Sequence, residues 1–188
     1  EFVIQINDFS PPTIICPPTI AAVCDISEVP PYADGAAGAA AFEAAGGILD
    51  DNCVLDISSF RLVSETDDMN TCPKTVTRVY EISDASPNAN SATCEQLIII
   101  NDEVDPIIVL PAAVTISCED SQDPDVNIPL GLAVAFDNCS SGIASIGYTD
   151  MDTQGASTSN CDYYNYTITR TWTATDYCGN SATGTQLI

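Results

Sequence analysis

The chain has no histidine, and only 4 lysines and arginines stand against 27 aspartates and glutamates in 188 residues. Without imidazole there is no His-based triad, no His zinc site and no His general base. A formal net charge of −23 opposes a phosphate backbone, so no nucleic acid is expected as a partner. Long hydrophobic runs are missing too. No stretch approaches the roughly 20 apolar residues of a membrane helix, and no basic segment of a signal peptide opens the chain. The expectation is a segment without membrane insertion, mature or cut from something longer. Carboxylate-only enzymes survive these exclusions, but paired-acid glycoside hydrolysis needs a neutral acid in an apolar cleft facing a second carboxylate. The acids here gather in turn-like stretches such as 119–125. A secreted carboxylate hydrolase is therefore the lesser alternative, and the chain is expected not to be an enzyme.

Nine cysteines place the chain in an oxidising, extracellular compartment. They also expose a duplication. Asn7-Asp8, Pro12 through Pro17 and Cys24 recur 94 positions later as Asn101-Asp102, Pro106 through Pro111 and Cys118. Asp51-Asn52-Cys53 recurs as Asp137-Asn138-Cys139, Cys72 as Cys161, and Asn90-Ser91-Ala92-Thr93 as Asn180-Ser181-Ala182-Thr183. Where copy one has Cys16 and Cys94, copy two has Leu110 and Gly184. Losing both at once is what a Cys16–Cys94 disulfide predicts. A repeat of about 90 residues has the size of an immunoglobulin-like sandwich. The expected layout is 1–8 as the end of a preceding or donated strand, 9–102 as module one and 103–188 as module two.

Period-two alternation marks strands. Tyr166, Ile168, Arg170, Trp172 and Ala174 form one face, with threonines between them, and Val76, Arg78, Tyr80 and Ile82 repeat the pattern. Further strands are expected over 13–16, 55–64, 97–100, 107–109, 114–118, 132–136 and 144–149, bounded by Pro, Gly, Asn and Asp. The alanine-rich stretch 39–45 is the exception, a short helix ended by Gly46-Gly47. The fold class is all-β.

The Cys-Pro near the start, the Asp-Asn-Cys, the Arg170-Thr171-Trp172-Thr173-Ala174-Thr175-Asp176 strand ending in Tyr177-Cys178-Gly179-Asn180, and the Ala-Gly-Gly before Asp-Asn-Cys together resemble hyalin-repeat (HYR)-like modules. The likeness is greatest to those of large Bacteroidota cell-surface adhesins, gliding-motility adhesins among them. It covers essentially the whole chain and implies two tandem, disulfide-stapled immunoglobulin/fibronectin-III-like β-sandwiches, displayed at the cell surface as adhesin or filament units. Copy one departs from the pattern at 84–90, where the Asp-x-Cys-Gly-Asn turn is replaced. In a seven-stranded sandwich of the implied kind, Cys118 and Cys161 share the lower end, and Cys139 and Cys178 the upper. Pairing Cys161 with Cys178 would join opposite ends of one strand, too far apart for a disulfide. By analogy Cys24 pairs with Cys72, and Cys53 is left over. It is either a buried reduced thiol or an intermolecular disulfide.

The acidic clusters have two readings as well. They are solvated turns that keep neighbouring molecules apart, or they hold calcium. The candidate calcium ligands are Asn101, Asp102, Glu103 and Asp105 with Asp137, Asn138 and Asp176 in copy two, and Asn7 and Asp8 with Asp50, Asp51, Asn52 and Asp84 in copy one. Arg78 and Arg170 lie on an apolar strand face and are expected to meet a carboxylate or carbonyls there. Neighbouring copies of the same protein are the expected partners. A surface glycan or protein ligand on an aromatic groove around Tyr148, Tyr163 or Tyr164 is the alternative. Phe2, Val3, Ile4 and Ile6 resemble the end of the 96–102 strand, which suggests either a window on a longer tandem array or strand donation between subunits.

Overall fold

The computed structural model describes residues 7–139 and 142–188. Among them are eleven β-strands and one α-helix, and the chain divides after Asn101 into two compact units. Asp102 opens the second unit. Asp8 belongs to the first, because the side chains of Asn88 and Asn90 both donate to its carbonyl. The possible donor residues Phe2, Val3, Ile4 and Ile6 lie outside the described residues.

In the first unit β1 (Thr13–Ile15) pairs antiparallel with β3 (Ile48–Asp50). A four-stranded sheet runs β2 (Ile20–Val23), β6 (Ser91–Ile100), β5 (Lys74–Asp84), β4 (Leu55–Asp67), with β2 parallel to β6 and the other pairs antiparallel. Helix α1 (Ala36–Ala44) covers part of the core, burying Ala39 and Phe42 three residues apart on one face. Phe42 meets Phe60 and Tyr80 at ring centroids of 5.2 and 5.7 Å, in the edge-on geometry that aromatic quadrupoles favour. The alternation of β5 holds throughout, with Val76, Arg78, Tyr80, Ile82 and Asp84 buried. The helix stops where the chain turns left-handed at Gly46, φ +97°. A side chain on Gly47 would collide with the Phe42 ring.

The second unit has β7 (Ile107–Val109) paired with β8 (Val134–Phe136), and a sheet ordered β11 (Ser181–Leu187), β10 (Ile168–Asp176), β9 (Ile143–Asp152). Here Ile168, Arg170, Trp172, Ala174 and Asp176 are buried in alternation. Trp172 donates its indole N–H to Gln186, whose amide nitrogen donates to the carbonyls of Ala112 and Leu130. Residues 114–117, the counterpart of β2 and an expected strand, are not one. Val114 makes a single backbone bond, to Leu187.

Six of the nine cysteines are disulfide-bonded. Cys16 and Cys94 are bridged, with Cα atoms 5.5 Å apart. Cys24 and Cys72 in the first unit, and Cys139 and Cys178 in the second, are bonded as well. The β2–β6–β5 register sets Val23 and Lys74 beside Ile100, which carries Cys24 and Cys72 to one end of the sheet. The expected Cys118–Cys161 bridge is a correction: both are exposed free thiols. Their counterparts flank paired strands, whereas Cys118 follows an irregular segment and Cys161 opens a 3-10 turn, so no ladder holds the two in disulfide geometry. Cys53 is free but exposed, not buried. Copy two replaces the Cys16–Cys94 bridge by packing, since Leu110 lies over Gly184, where an added Cβ would come within 2.6 Å of the leucine side chain.

Candidate functional site

At one end of each unit the same three stretches converge: the Asn-Asp dipeptide, the Asp-Asn-Cys, and the turn after the long central strand. In the first unit Asp84 accepts at Oδ1 from the Ser86 and Asn90 backbone and at Oδ2 from the Asn90 side chain, 2.7 Å. In the second, Asp176 accepts from the backbone N–H groups of Cys178, Gly179 and Asn180 and from the Asn180 side chain, also 2.7 Å. Asn90 and Asn180 reach on to the carbonyls of Asp8 and Asp102. The repeated Asp and Asn are therefore turn-formers that clamp the start of each unit.

The duplication extends to the carboxylates beside these turns. Asp8, Asp51 and Asp84 bring an oxygen each within 4.8 Å of one another, as do Asp102, Asp137 and the sulfur of Cys139 in the second unit. Of the residues expected to gather with them, Asn101 falls in the first unit, and Asp50 is on β3 opposite Thr13. Glu103 and Asp105 are not members of either group of acidic and thiol ligand atoms. Asp176 spends its carboxylate on its own turn.

The two groups differ in how their charges are met. In the first, Ser10 and Cys53 donate to Asp8 and hold its carboxyl below the usual carboxylate range. The same contact, with burial and neighbouring carboxylates, pushes the Cys53 thiol up and keeps it protonated. The Asn52 amide has its oxygen toward acceptors. Turned over, it donates to Asp51 Oδ1 and Asp8 Oδ2, each at 3.2 Å. In the second group burial, opposed by the Cys139 N–H and reinforced by the facing Asp102 carboxylate, raises Asp137 above its ordinary value. Asp102 Oδ2 and Asp137 Oδ1 are both buried without a donor among the described residues.

A second feature is confined to the second unit. A cavity of about 500 Å³ lies between residues 113–118 and 164–168, with Leu187 and Ile188 at its head. In the first unit the corresponding place, between β2 and the start of β5, is filled by the end of β6, Ile98 through Ile100. Tyr164 lines this cavity, and Tyr163 packs edge-on against it at 5.0 Å. Tyr148 does not join them. It lies under the Arg170 guanidinium at 4.0 Å and against Trp172 at 5.1 Å.

Both buried arginines meet carboxylates and carbonyls. Arg170 forms a two-pronged pair with Asp150, at 2.8 and 2.7 Å, and donates to the Gln122 carbonyl. Arg78 donates to Glu65 and the Val29 carbonyl, each at 2.6 Å. The sequence reading missed the clamp made by Asn90 and Asn180, whose signal was their recurrence at matching places in both copies. Compared with family models, curated proteins and solved structures, the chain matches none.

Proposed function

We propose that the chain is a pair of extracellular structural modules of the HYR-like, immunoglobulin-sandwich kind, serving a surface adhesin or filament as a rigid stalk or fibre unit. Three disulfides support an oxidising compartment, and no helix among the described residues is long and apolar enough to cross a membrane. The observation that carries the reading is the cavity of the second unit. It occupies the place that Ile98 through Ile100 fill in the first unit, and a strand added there, whether the chain's own continuation past Ile188 in a tandem array or one donated by a neighbouring module, completes the unit. Exposed Ile107, Val109, Val134 and Phe136, paired across β7 and β8, add an apolar contact face to the same unit.

A synthetic peptide of residues 97–102, the segment that fills this place in the first unit, tests it. Binding at one per chain, with slowed amide exchange over 114–117 and at Tyr166 and Thr167, is expected. Unchanged exchange at saturating peptide would sink the strand-addition reading. A second reading, capture of a glycan or protein ligand, is favoured by Tyr164 at the cavity wall, 55% exposed. It predicts a soluble glycan that displaces the peptide and loses affinity in Tyr164→Ala.

A further inference from the structure

In the second unit two carboxylates face one another with no donor between them. Asp102 is 7% exposed, its Oδ2 wholly buried, and Asp137 Oδ1 is buried likewise. Other polar contacts account for only the far oxygens. Asp102 Oδ1 takes the Val104 N–H at 3.0 Å and Asp137 Oδ2 the Cys139 N–H at 3.2 Å. Among the described residues, the Asn138 amide nitrogen donates to the Cys139 sulfur at 3.3 Å and to Asp102 Oδ1 at a long 3.5 Å. Two anions buried side by side cost several kcal/mol unless a shared proton or a counter-charge offsets them, and only a counter-charge leaves both carboxylates ionised. All four basic side chains are engaged elsewhere: Arg61 with Glu81, Lys74 with Asp67, Arg78 with Glu65 and Arg170 with Asp150.

The first unit supplies an internal comparison. There the Asn52 amide, turned over, bridges Asp51 and Asp8, and the Cys53 thiol donates to Asp8. In the second unit the equivalent cysteine, Cys139, is disulfide-bonded and has no proton to give. The loss of that thiol donor distinguishes the Asp102–Asp137 pair from its counterpart in the first unit.

We propose that Asp102 and Asp137 bind a hard divalent cation of the calcium class, with the Asn138 amide turned over to present its oxygen. The donor set fits: two carboxylates balance the charge, all donors are oxygen, and the Cys139 sulfur is excluded by its bond and its softness. Three protein oxygens leave room in a shell of six to eight for carbonyls and water. Few ligands on a short, irregular chain segment point to an affinity of about 10⁻⁴–10⁻³ M, the range of extracellular modules. The site belongs to the fold and stands apart from the strand-addition reading above.

The only tryptophan, Trp172, is in the second unit, so its fluorescence follows unfolding of that unit. In chelator-stripped full-length chain, calcium at about a hundred times Kd is expected to raise the Trp172-detected Tm by on the order of 10 °C. Asp137→Asn abolishes the increment and removes one ion per chain by calorimetric titration. Its Tm in chelator equals or exceeds that of the unaltered chain, because one of the two facing charges is gone. Asp51→Asn, in the other unit, leaves the Trp172 increment intact and controls for net charge. Equal melting in calcium and chelator overturns the site, as does an undiminished increment in Asp137→Asn. If Asp137→Asn fails to fold, Asp102→Asn and the titration of the unaltered chain decide by the same outcomes.

Discussion

Gly184 and Leu110 show one residue pair doing in the second unit, by packing, what a covalent bond does in the first. Cys16 and Cys94 hold their Cα atoms 5.5 Å apart, and the leucine lies over the glycine in the matching place. The paired substitution L110C/G184C is therefore expected to oxidise spontaneously and to stabilise the second unit by up to about 4 kcal/mol, the loop-closure value for a ring of this size. Thiol titration before and after Trp172-monitored melting checks it. Two thiols persisting in air beyond those of Cys53, Cys118 and Cys161 would show that the two strands diverge between copies. This bridge was legible in the sequence because two cysteines vanish together from the second copy. Cys118 and Cys161 misled for the complementary reason: both copies carry them, but only the first copy frames the positions with paired strands. The buried orphan oxygens of Asp102 and Asp137 were not legible at all. Their environment depends on which way an adjacent amide turns, which residue spacing does not write, although the bonded state of Cys139 was expected.

The long strands were the most legible elements, because burial on one face imposes a period of two. Arg78 and Arg170 keep that period with charged groups, made tolerable by Glu65 and Asp150 on the neighbouring strands. Val114, Thr115 and Ile116 are β-branched but form no strand, since a strand needs a partner ladder as well as propensity. Short elements rest on local caps. The 3-10 turn Ile26–Glu28 is capped reciprocally by Asp25 and Glu28, and hydrogen bonds from the Ser27 hydroxyl and N–H hold the Asp25 carboxyl below its usual range. A depressed folded pKa gives stability that is complete above the unfolded carboxylate value and is lost as pH falls through the folded one. Asp25→Asn should consequently lower the melting temperature of the first unit near neutrality, with the gap to the unaltered chain closing in acid. A gap constant with pH would mean that the cap acts through shape alone.

At the scale of the whole molecule the formal charge of −23 makes copies of the chain repel one another at low ionic strength. The two units share a plan but not a stapling pattern. That difference matters once the chain is loaded in tension. The Cys16–Cys94 bond joins the start of the first unit to its last strand and closes a loop with a sequence separation of 78. A pull applied across the unit passes through the sulfur bridge and bypasses everything inside the loop, including β4, β5 and the aromatic core. In single-molecule stretching the first unit should yield only short extensions until a thiol reductant is added, which would then release roughly 260–280 Å of hidden contour length. The second unit, with Leu110 and Gly184 where the bridge would be, has no such bypass at that position. It is the link that lengthens first, so that under load one unit acts as a fixed spacer and the other as an extensible one.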